Sequence, residues 1–129
     1  MKKVYYPAKK TFVKFDDEHF LLYLNEEIKE NYLPENAEED AVPFTAYAYS
    51  GTEPDGSTKI KATEATYPQF VSGLIRTQYS ADAVEAILLN AQSTFDAPKE
   101  AEHKVEFADL EEFRQDCKDA ISNLLQTDN

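Results

Sequence analysis

Four side chains that are able to bind a metal ion stand consecutively near the N-terminus: Asp16, Asp17, Glu18 and His19. Neighbouring side chains point in different directions, so they reach one ion only around a special turn. A zinc site also needs His or Cys ligands at wider spacings, and no Cys or second His lies near them in the sequence. We therefore interpret this run as a solvated turn or a helix cap, and we predict no metal and no cofactor.

The run Asp55-Gly56-Ser57 contains residues that also occur in calcium-binding loops. Such a loop needs acids at alternate positions and a Glu at its far end, and this segment has neither. The chain has only three glycines, at positions 51, 56 and 73, and they do not form a phosphate-binding loop. We interpret residues 54–56 as a turn.

The single cysteine, Cys117, is the one candidate for a thiol nucleophile. A nucleophilic Cys needs a thiolate and a nearby base. Cys117 instead lies on the apolar side of an acidic helical segment, between Phe113 and Ile121, where burial and negative neighbours raise a thiol pKa. His103 stands among charged residues with no nucleophile in view, so we expect a surface histidine. We therefore identify no catalytic residue and expect Cys117 to be an inert core residue.

The charge of the chain is unevenly distributed. The net charge is −12, from 13 Lys and Arg against 25 Asp and Glu, yet residues 1–14 contain five lysines and no acid. A negative surface repels a phosphate backbone, so nucleic-acid binding is disfavoured. The basic N-terminal segment is either a solvated tail or a contact for an acidic partner, including the acidic body of a second copy.

The first half of the sequence reads as strands and loops. Residues 20–24 form a continuous apolar run that is typical of a buried strand, and we favour that interpretation. A helical alternative remains, because Phe20, Leu24, Ile28 and Tyr32 recur every four residues. Residues 25–33 therefore stay open between helix and strand, and the acidic residues 34–41 indicate a loop.

The clearest β pattern lies in two alternating segments, residues 44–49 and 59–62. The turn residues Pro54, Asp55 and Gly56 lie between them, which predicts an antiparallel hairpin with a long loop. Ile60 and Ala62 should then face the core. Tyr47 and Tyr49 share one face of this hairpin, and we predict that they are partly exposed and available to a partner.

The second half of the sequence has helical periodicity. Thr66 and Gln69 match a capping box, with Pro68 in the first turn, and Ser80 is a suitable N-cap for the next helix. These signals predict helices over residues 66–78, 80–90 and 107–126, separated by a loop at 91–104.

These elements predict an α+β fold, in which a small antiparallel sheet from the N-terminal half packs on about three helices from the C-terminal half. We expect one domain over residues 1–129, with a flexible basic arm at 1–10 and a frayed tail at 127–129. No segment approaches the roughly 18 apolar residues that a membrane span needs. The N-terminus also lacks the apolar core of a signal peptide, so we expect a cytoplasmic protein with no membrane partner.

Residues 46–90 resemble a group of small uncharacterised proteins from gut Bacteroidales and their prophages. The resemblance is carried by a hairpin-like stretch and by the helical motif FVSGLIRxxYSADAVEAILLN. The matching positions are Tyr49, Gly51, Thr52, Asp55, Gly56, Thr58, residues 70–76 and residues 79–90. The match covers about a third of the chain. It implies a phage-associated accessory or structural role, in which Gly73 is a packing residue and Arg76 contacts a partner.

Taken together, these observations favour a non-enzymatic interaction protein, located in the cytoplasm or in a phage particle, that binds a protein partner or a second copy. The candidate partner-binding residues are Tyr47, Tyr49 and Arg76. The alternative is a small enzyme or ligand-binding protein whose carboxylates converge only in the fold, since 25 acidic residues offer many pairs.

Overall fold

The structure, a computed structural model, describes residues 1–92 and 97–126. Over these residues the elements in chain order are β1 (Lys2–Tyr6), β2 (Phe12–Asp16), β3 (His19–Leu22), β4 (Glu27–Tyr32), β5 (Phe44–Gly51), β6 (Thr58–Lys61), α1 (Tyr67–Arg76), α2 (Ala81–Gln92) and α3 (Ala97–Gln126). The predicted α+β class is confirmed. The chain divides into two compact units, Met1–Lys59 and Ile60–Asn129, and the division falls inside β6.

The described strands form two antiparallel sheets of three strands each, where one small sheet was predicted. The first sheet has the order β1-β5-β4 and the second has the order β2-β3-β6. In the first sheet Val4 lies opposite Tyr49, and Ile28 lies opposite Tyr47. In the second sheet β2 and β3 form a tight hairpin.

The predicted hairpin between residues 44–49 and 59–62 is wrong in its pairing. β5 pairs with β1 and β4, whereas β6 belongs to the other sheet. Ala46, Ala48 and Tyr49 are all buried, so residues on both faces of this central strand are covered.

The turn itself is confirmed at its predicted residues. The Gly56 N–H donates to the Glu53 carbonyl at 3.0 Å, and Gly56 has a φ of 84°, a conformation that favours glycine. The chain therefore turns at the residues that the sequence predicts, but the strand that follows, β6, belongs to the second sheet.

The open question at residues 25–33 resolves as a strand, and the helical alternative for residues 20–32 is wrong. Asn25 and Asn31 both have positive φ values, 57° and 55°. Left-handed residues interrupt a right-handed helix, and Asn tolerates this conformation better than most residues. The predicted strand at 20–24 is confirmed over residues 20–22, which lie in β3 with Phe20 and Leu22 buried; residues 23 and 24 follow the end of that strand.

The predicted flexible arm at residues 1–10 contains the paired strand β1, so that prediction is wrong over residues 2–6. The Tyr5 ring stacks on Tyr32, with centroids 4.4 Å apart and planes 6° apart, and Lys3 forms an ion pair with Glu27. Strand pairing with β5 and the stacking of Tyr5 on Tyr32 order this segment in spite of its lysines. The predicted tail at 127–129 lies outside the described residues.

In the second unit, α1 lies against β6 and against α3. The buried residues of α1 are Phe70, Val71, Gly73, Leu74 and Ile75. The Gly73 backbone approaches β6 so closely that an added Cβ would lie 2.5 Å from the Lys61 carbonyl oxygen. Ile60 and Ala62 are buried, as predicted.

The last helix begins ten residues before its predicted start. α2 runs to Gln92 and α3 runs from Ala97, so the predicted loop at 91–104 is wrong at residues 91–92 and from residue 97 onwards. Residues 93–96 lie outside the described chain. Pro98 falls in the first turn of the helix, where its missing N–H removes no helical bond. The Lys, Glu and Ala residues that follow are good helix formers.

The two predicted N-caps have different outcomes. Ser80 caps α2, because its Oγ accepts a hydrogen bond from the Ala83 N–H at 3.0 Å. Thr66 occupies the N-cap position of α1 but makes no side-chain cap bond. Gln69 does not complete a capping box, since its Oε1 accepts hydrogen bonds from Thr63 N at 2.7 Å and from Glu64 N at 3.1 Å. Within the described chain, none of the helices combines the length and apolarity that crossing a bilayer requires.

Candidate functional site

Both arginines of the chain line one groove in the second unit. The sequence contains only two, Arg76 and Arg114, and the groove has a volume of about 310 Å³. The other lining residues are Tyr67, Pro68, Val71, Ser72, Ile75, Val84 and Lys118. In a chain with a net charge of −12, this groove collects three cationic side chains.

Helix geometry explains how the cations come together. Arg76 lies in the last turn of α1. Arg114 and Lys118 are four residues apart on α3, so they project from the same face of that helix. α1 and α3 pack against each other, which brings the two sets of cations to one groove.

The groove combines apolar and cationic surfaces. Val71 and Ile75 are each only 8% exposed and provide buried apolar walls. The Arg114 guanidinium donates a hydrogen bond to Glu111 Oε1 at 2.9 Å, so one of the three cations already has a counterion. Neither Arg76 nor Lys118 forms an ion pair with any residue that the structure describes. An arginine guanidinium binds carboxylate and phosphate groups through paired hydrogen bonds, so this groove suits an anion.

A cluster of tyrosines in the first unit forms a second polar constellation. The Tyr23 ring packs edge-on against Tyr49 at 5.6 Å and against Tyr6 at 5.9 Å, measured between centroids. The Tyr49 side chain is fully buried and Tyr47 is half-buried. The predicted partial exposure of Tyr49 is therefore wrong, because β5 is a central strand whose two faces are both covered. A partner-binding role for Tyr47 and Arg76 stays a prediction.

The hydroxyl groups of these tyrosines are bonded to acids and to the backbone. The Tyr49 hydroxyl donates to Glu26 Oε2 at 2.7 Å and accepts from the Lys10 backbone N–H at 2.9 Å. The Tyr23 hydroxyl donates to Asp55 Oδ2 at 3.0 Å. Burial, followed by these acidic acceptors, raises the pKa of Tyr23 and of Tyr49 to about 12. Both tyrosines are therefore protonated donors at neutral pH.

Asp55 is the acid that organises this cluster. Its Oδ1 accepts hydrogen bonds from the Ser57 N–H, at 3.0 Å, and from the Ser57 hydroxyl. Burial by itself raises the pKa of Asp55, but hydrogen bonds from Ser57 and Tyr23 outweigh that effect and leave the pKa below its ordinary value. Asp55 is thus an ionised acceptor at neutral pH.

The fold brings two carboxylates to the tyrosine cluster, which bears on the alternative of an acid-based enzyme. Asp55 and Glu26 each accept a hydrogen bond from a tyrosine hydroxyl. A general acid needs a pKa raised towards neutrality, and the pKa of Asp55 moves in the opposite direction. This arrangement supports the packing of the first unit and offers no proton donor for catalysis at Asp55.

The other sequence-predicted candidates have structural roles. The interpretation of residues 16–19 as a turn is confirmed: Asp16 Oδ1 accepts from the Glu18 N–H at 2.8 Å and lies 2.9 Å from His19 Nδ1. Among residues 1–92 and 97–126, no three His, Cys, Asp or Glu side chains gather around a position that could hold a metal ion. Cys117 is a core residue, as predicted, and burial followed by the charge of Asp116 raises its pKa to about 11. His103 lies in α3 and not in a loop, and it is half-buried.

Of the residues that line the groove, sequence reasoning named only Arg76 as a candidate partner contact. Arg114 and Lys118 gave a usable signal, namely that cations four residues apart on an acidic helix share a face. These two cations lie near Arg76 only because α1 packs against α3, which the sequence does not show. Comparison of the chain with protein-family models, with curated proteins and with solved structures found no match.

Proposed function

We propose that this chain is a non-enzymatic interaction protein whose groove between α1 and α3 binds an acidic segment of a protein partner. The observation that carries the proposal is the placement of both arginines and of Lys118 around one groove in a strongly acidic chain. These cations are grouped at one concave surface, so they produce a local positive potential that attracts a negative group.

The chemistry of the groove favours a peptide over a nucleic acid. The net charge of −12 repels a long phosphate backbone. The apolar walls formed by Val71 and Ile75 suit apolar side chains, while Arg76 and Lys118 suit carboxylates. A segment that alternates acidic and apolar residues satisfies both surfaces.

The resemblance of residues 46–90 to proteins of Bacteroidales prophages supports an accessory or structural role in a phage. Proteins in such roles act by binding other proteins. A second copy of this chain is one source of an acidic segment, because residues 35–40 contain Glu35, Glu38, Glu39 and Asp40. The ligand that we propose is an acidic segment of a different protein, whereas binding by a second copy would appear as self-association of the chain.

The test measures the affinity of a labelled peptide that alternates glutamate with leucine. Arg76→Ala and Lys118→Ala should each weaken binding by about tenfold, the effect of losing one charge-assisted hydrogen bond. A peptide with glutamine in place of glutamate should bind much less tightly. Higher salt should weaken the binding of the acidic peptide, since the attraction is screened.

The matched control is Lys61→Ala, which removes an exposed cation of the same unit that does not line the groove. Lys61→Ala changes the net charge equally, so equal weakening by Lys61→Ala and Arg76→Ala contradicts binding in the groove. Glu111→Gln gives an opposite test: it frees the Arg114 guanidinium from its counterion at 2.9 Å, so peptide affinity should rise. Light scattering of the chain without peptide detects binding by a second copy as a doubled molar mass. In such a dimer, residues 35–40 of one copy would occupy the groove of the other.

A further inference from the structure

The ammonium group of Lys10 lies against two tyrosine rings in the first unit. Its Nζ is 4.4 Å from the centroid of Tyr6 and 5.1 Å from the centroid of Tyr23. Both distances are within the range of about 6 Å over which an aromatic face attracts a cation. The two rings stand at 84° to each other with centroids 5.9 Å apart, so they form two perpendicular walls around one cation.

These two walls are held in place without help from the Lys10 side chain. The Tyr6 hydroxyl donates to the backbone carbonyl of Asp55, and the Tyr23 hydroxyl donates to Asp55 Oδ2 at 3.0 Å. Behind them, the buried Tyr49 ring packs edge-on against Tyr23. A site whose walls are fixed before the ligand arrives loses little entropy when it binds.

The segment that carries Lys10 is attached separately from the Lys10 side chain. Its backbone N–H donates to the Tyr49 hydroxyl at 2.9 Å, and the preceding residue, Lys9, forms an ion pair with Glu26 at 2.9 Å. The Lys10 side chain can therefore leave the rings while the backbone of the segment stays in place.

We propose that Tyr6 and Tyr23, with the Asp55 carboxylate beside them, form a binding site for an alkylammonium group, which Lys10 of the same chain fills until a ligand displaces it. The ligand class is a quaternary or methylated ammonium, carried either by a free amine or by a methylated lysine side chain. Methylation keeps the positive charge and weakens hydration, and aromatic walls bind such cations preferentially. A lysine ammonium is strongly hydrated by comparison, so Lys10 is a displaceable occupant. This site is distinct from the groove in the second unit and takes a ligand of opposite charge.

The first experiment uses the full chain with Lys10→Ala and two probes, tetramethylammonium and a short peptide that carries trimethyllysine. Binding is followed by the NMR shifts of the Tyr6 and Tyr23 ring protons. Both probes should bind Lys10→Ala at least about tenfold more tightly than the unaltered chain, because the internal competitor is gone. Sodium chloride at equal ionic strength should leave the ring shifts unchanged. Tetramethylammonium binding without peptide binding identifies a free amine as the ligand source, and tighter peptide binding identifies a lysine side chain.

Lys2→Ala is the matched control, since it removes one positive charge from an exposed position of the same basic segment and leaves the rings occupied. It should bind the probes no better than the unaltered chain. The double variant Lys10→Ala with Tyr23→Leu should lose binding, because one wall is gone. Equal binding by the single and double variants, or no binding by a folded Lys10→Ala chain, overturns the inference.

A measurement on the unaltered chain avoids any dependence on the folding of the variants. The Lys10 Nζ lies over two rings, so ring currents should shift the NMR resonance of the adjacent Cε protons upfield. Added tetramethylammonium should move this resonance towards the value of an exposed lysine in a saturable manner, while the resonances of Lys61 stay constant. A Lys10 resonance that does not move at saturating probe overturns displacement of the side chain.

Discussion

The Tyr23 hydroxyl donates a hydrogen bond to Asp55 Oδ2 at 3.0 Å, across 32 residues of sequence. This bond joins the end of β3 to the turn that follows β5. Asp55 also accepts from Ser57 within the turn, so one carboxylate fixes the turn and connects it to the tyrosine cluster.

The first prediction concerns Asp55 at acid pH. Because the pKa of Asp55 in the folded chain lies below its ordinary value of 3.8, the unfolded chain takes up the proton first. The stabilisation from Asp55 is therefore complete above about pH 4 and is lost as the pH falls through the folded pKa. Asp55→Asn should lower the free energy of unfolding at neutral pH by about 1 to 2 kcal/mol and should flatten its acid dependence, measured by urea unfolding at several pH values.

Asp17→Asn provides the control for that experiment, since Asp17 is an exposed carboxylate 3.9 Å from the Lys14 ammonium. An exposed ion pair contributes little to the free energy of unfolding. The decrease of that free energy at acid pH should therefore be the same in this variant as in the unaltered chain. If Asp17→Asn and Asp55→Asn flatten the acid limb equally, the hydrogen bonds of Asp55 are not the cause.

The second prediction concerns alkaline pH. The pKa of Tyr23 and of Tyr49 is about 12 in the folded chain, against an ordinary value of 10.0. Because the pKa of each tyrosine is higher in the folded chain than in the unfolded chain, the stabilisation that they contribute is complete below about pH 10. It is lost as the pH rises from 10 towards 12. Tyrosinate absorbance should show a late phase that Tyr49→Phe reduces and that the control Tyr47→Phe leaves intact. A late phase of equal size in both variants contradicts the assignment.

The third prediction tests the contact between α1 and β6. An added Cβ at Gly73 would lie 2.5 Å from the Lys61 carbonyl oxygen, which is backbone and cannot rotate away. Gly73→Ala should therefore lower the free energy of unfolding by about 1 to 3 kcal/mol, although alanine is intrinsically the better helix former by about 1 kcal/mol. Ser72→Ala, at the exposed neighbouring position, should be neutral or slightly stabilising in the same urea titration. A stabilised Gly73→Ala chain would contradict this close approach.

The fourth prediction compares the two N-caps. Ser80→Ala removes the acceptor for the Ala83 N–H and should cost about 0.5 to 2 kcal/mol of stability. Thr66→Ala removes a side chain that makes no cap bond, so its effect in thermal unfolding should be much smaller. Equal losses from the two substitutions would mean that the Ser80 hydrogen bond contributes nothing specific.

The sequence predicted features that depend on near neighbours better than features that depend on distant ones. The Ser80 cap and the turn at Gly56 involve residues within three positions of each other, and both are confirmed. The predicted pairing of β5 was wrong because its partners lie far away in the sequence. β1 is about forty residues from β5 and partly buries Tyr5 and Tyr6, which local alternation does not reveal.

The candidate sites also depend on residues that are distant in the sequence, and for this reason they were harder to predict. Arg76 stood out in the sequence, but Arg114 joins it only through helix packing. Tyr6 and Asp55 are 49 residues apart and meet through the sheet. Both sites assemble from segments that lie far apart in the sequence, so composition and spacing alone do not show that their side chains meet.

The burial of Cys117 makes the chain its own reporter of unfolding. A thiol whose pKa is about 11 and whose sulfur is enclosed reacts with an alkylating reagent only during moments when its surroundings open. Cys117 lies in the second unit, whereas Tyr23 and Tyr49 lie in the first. The alkylation rate and the tyrosinate signal therefore follow the two halves of the molecule separately. Their comparison reveals, without any introduced label, whether the halves lose their structure in one step or in two.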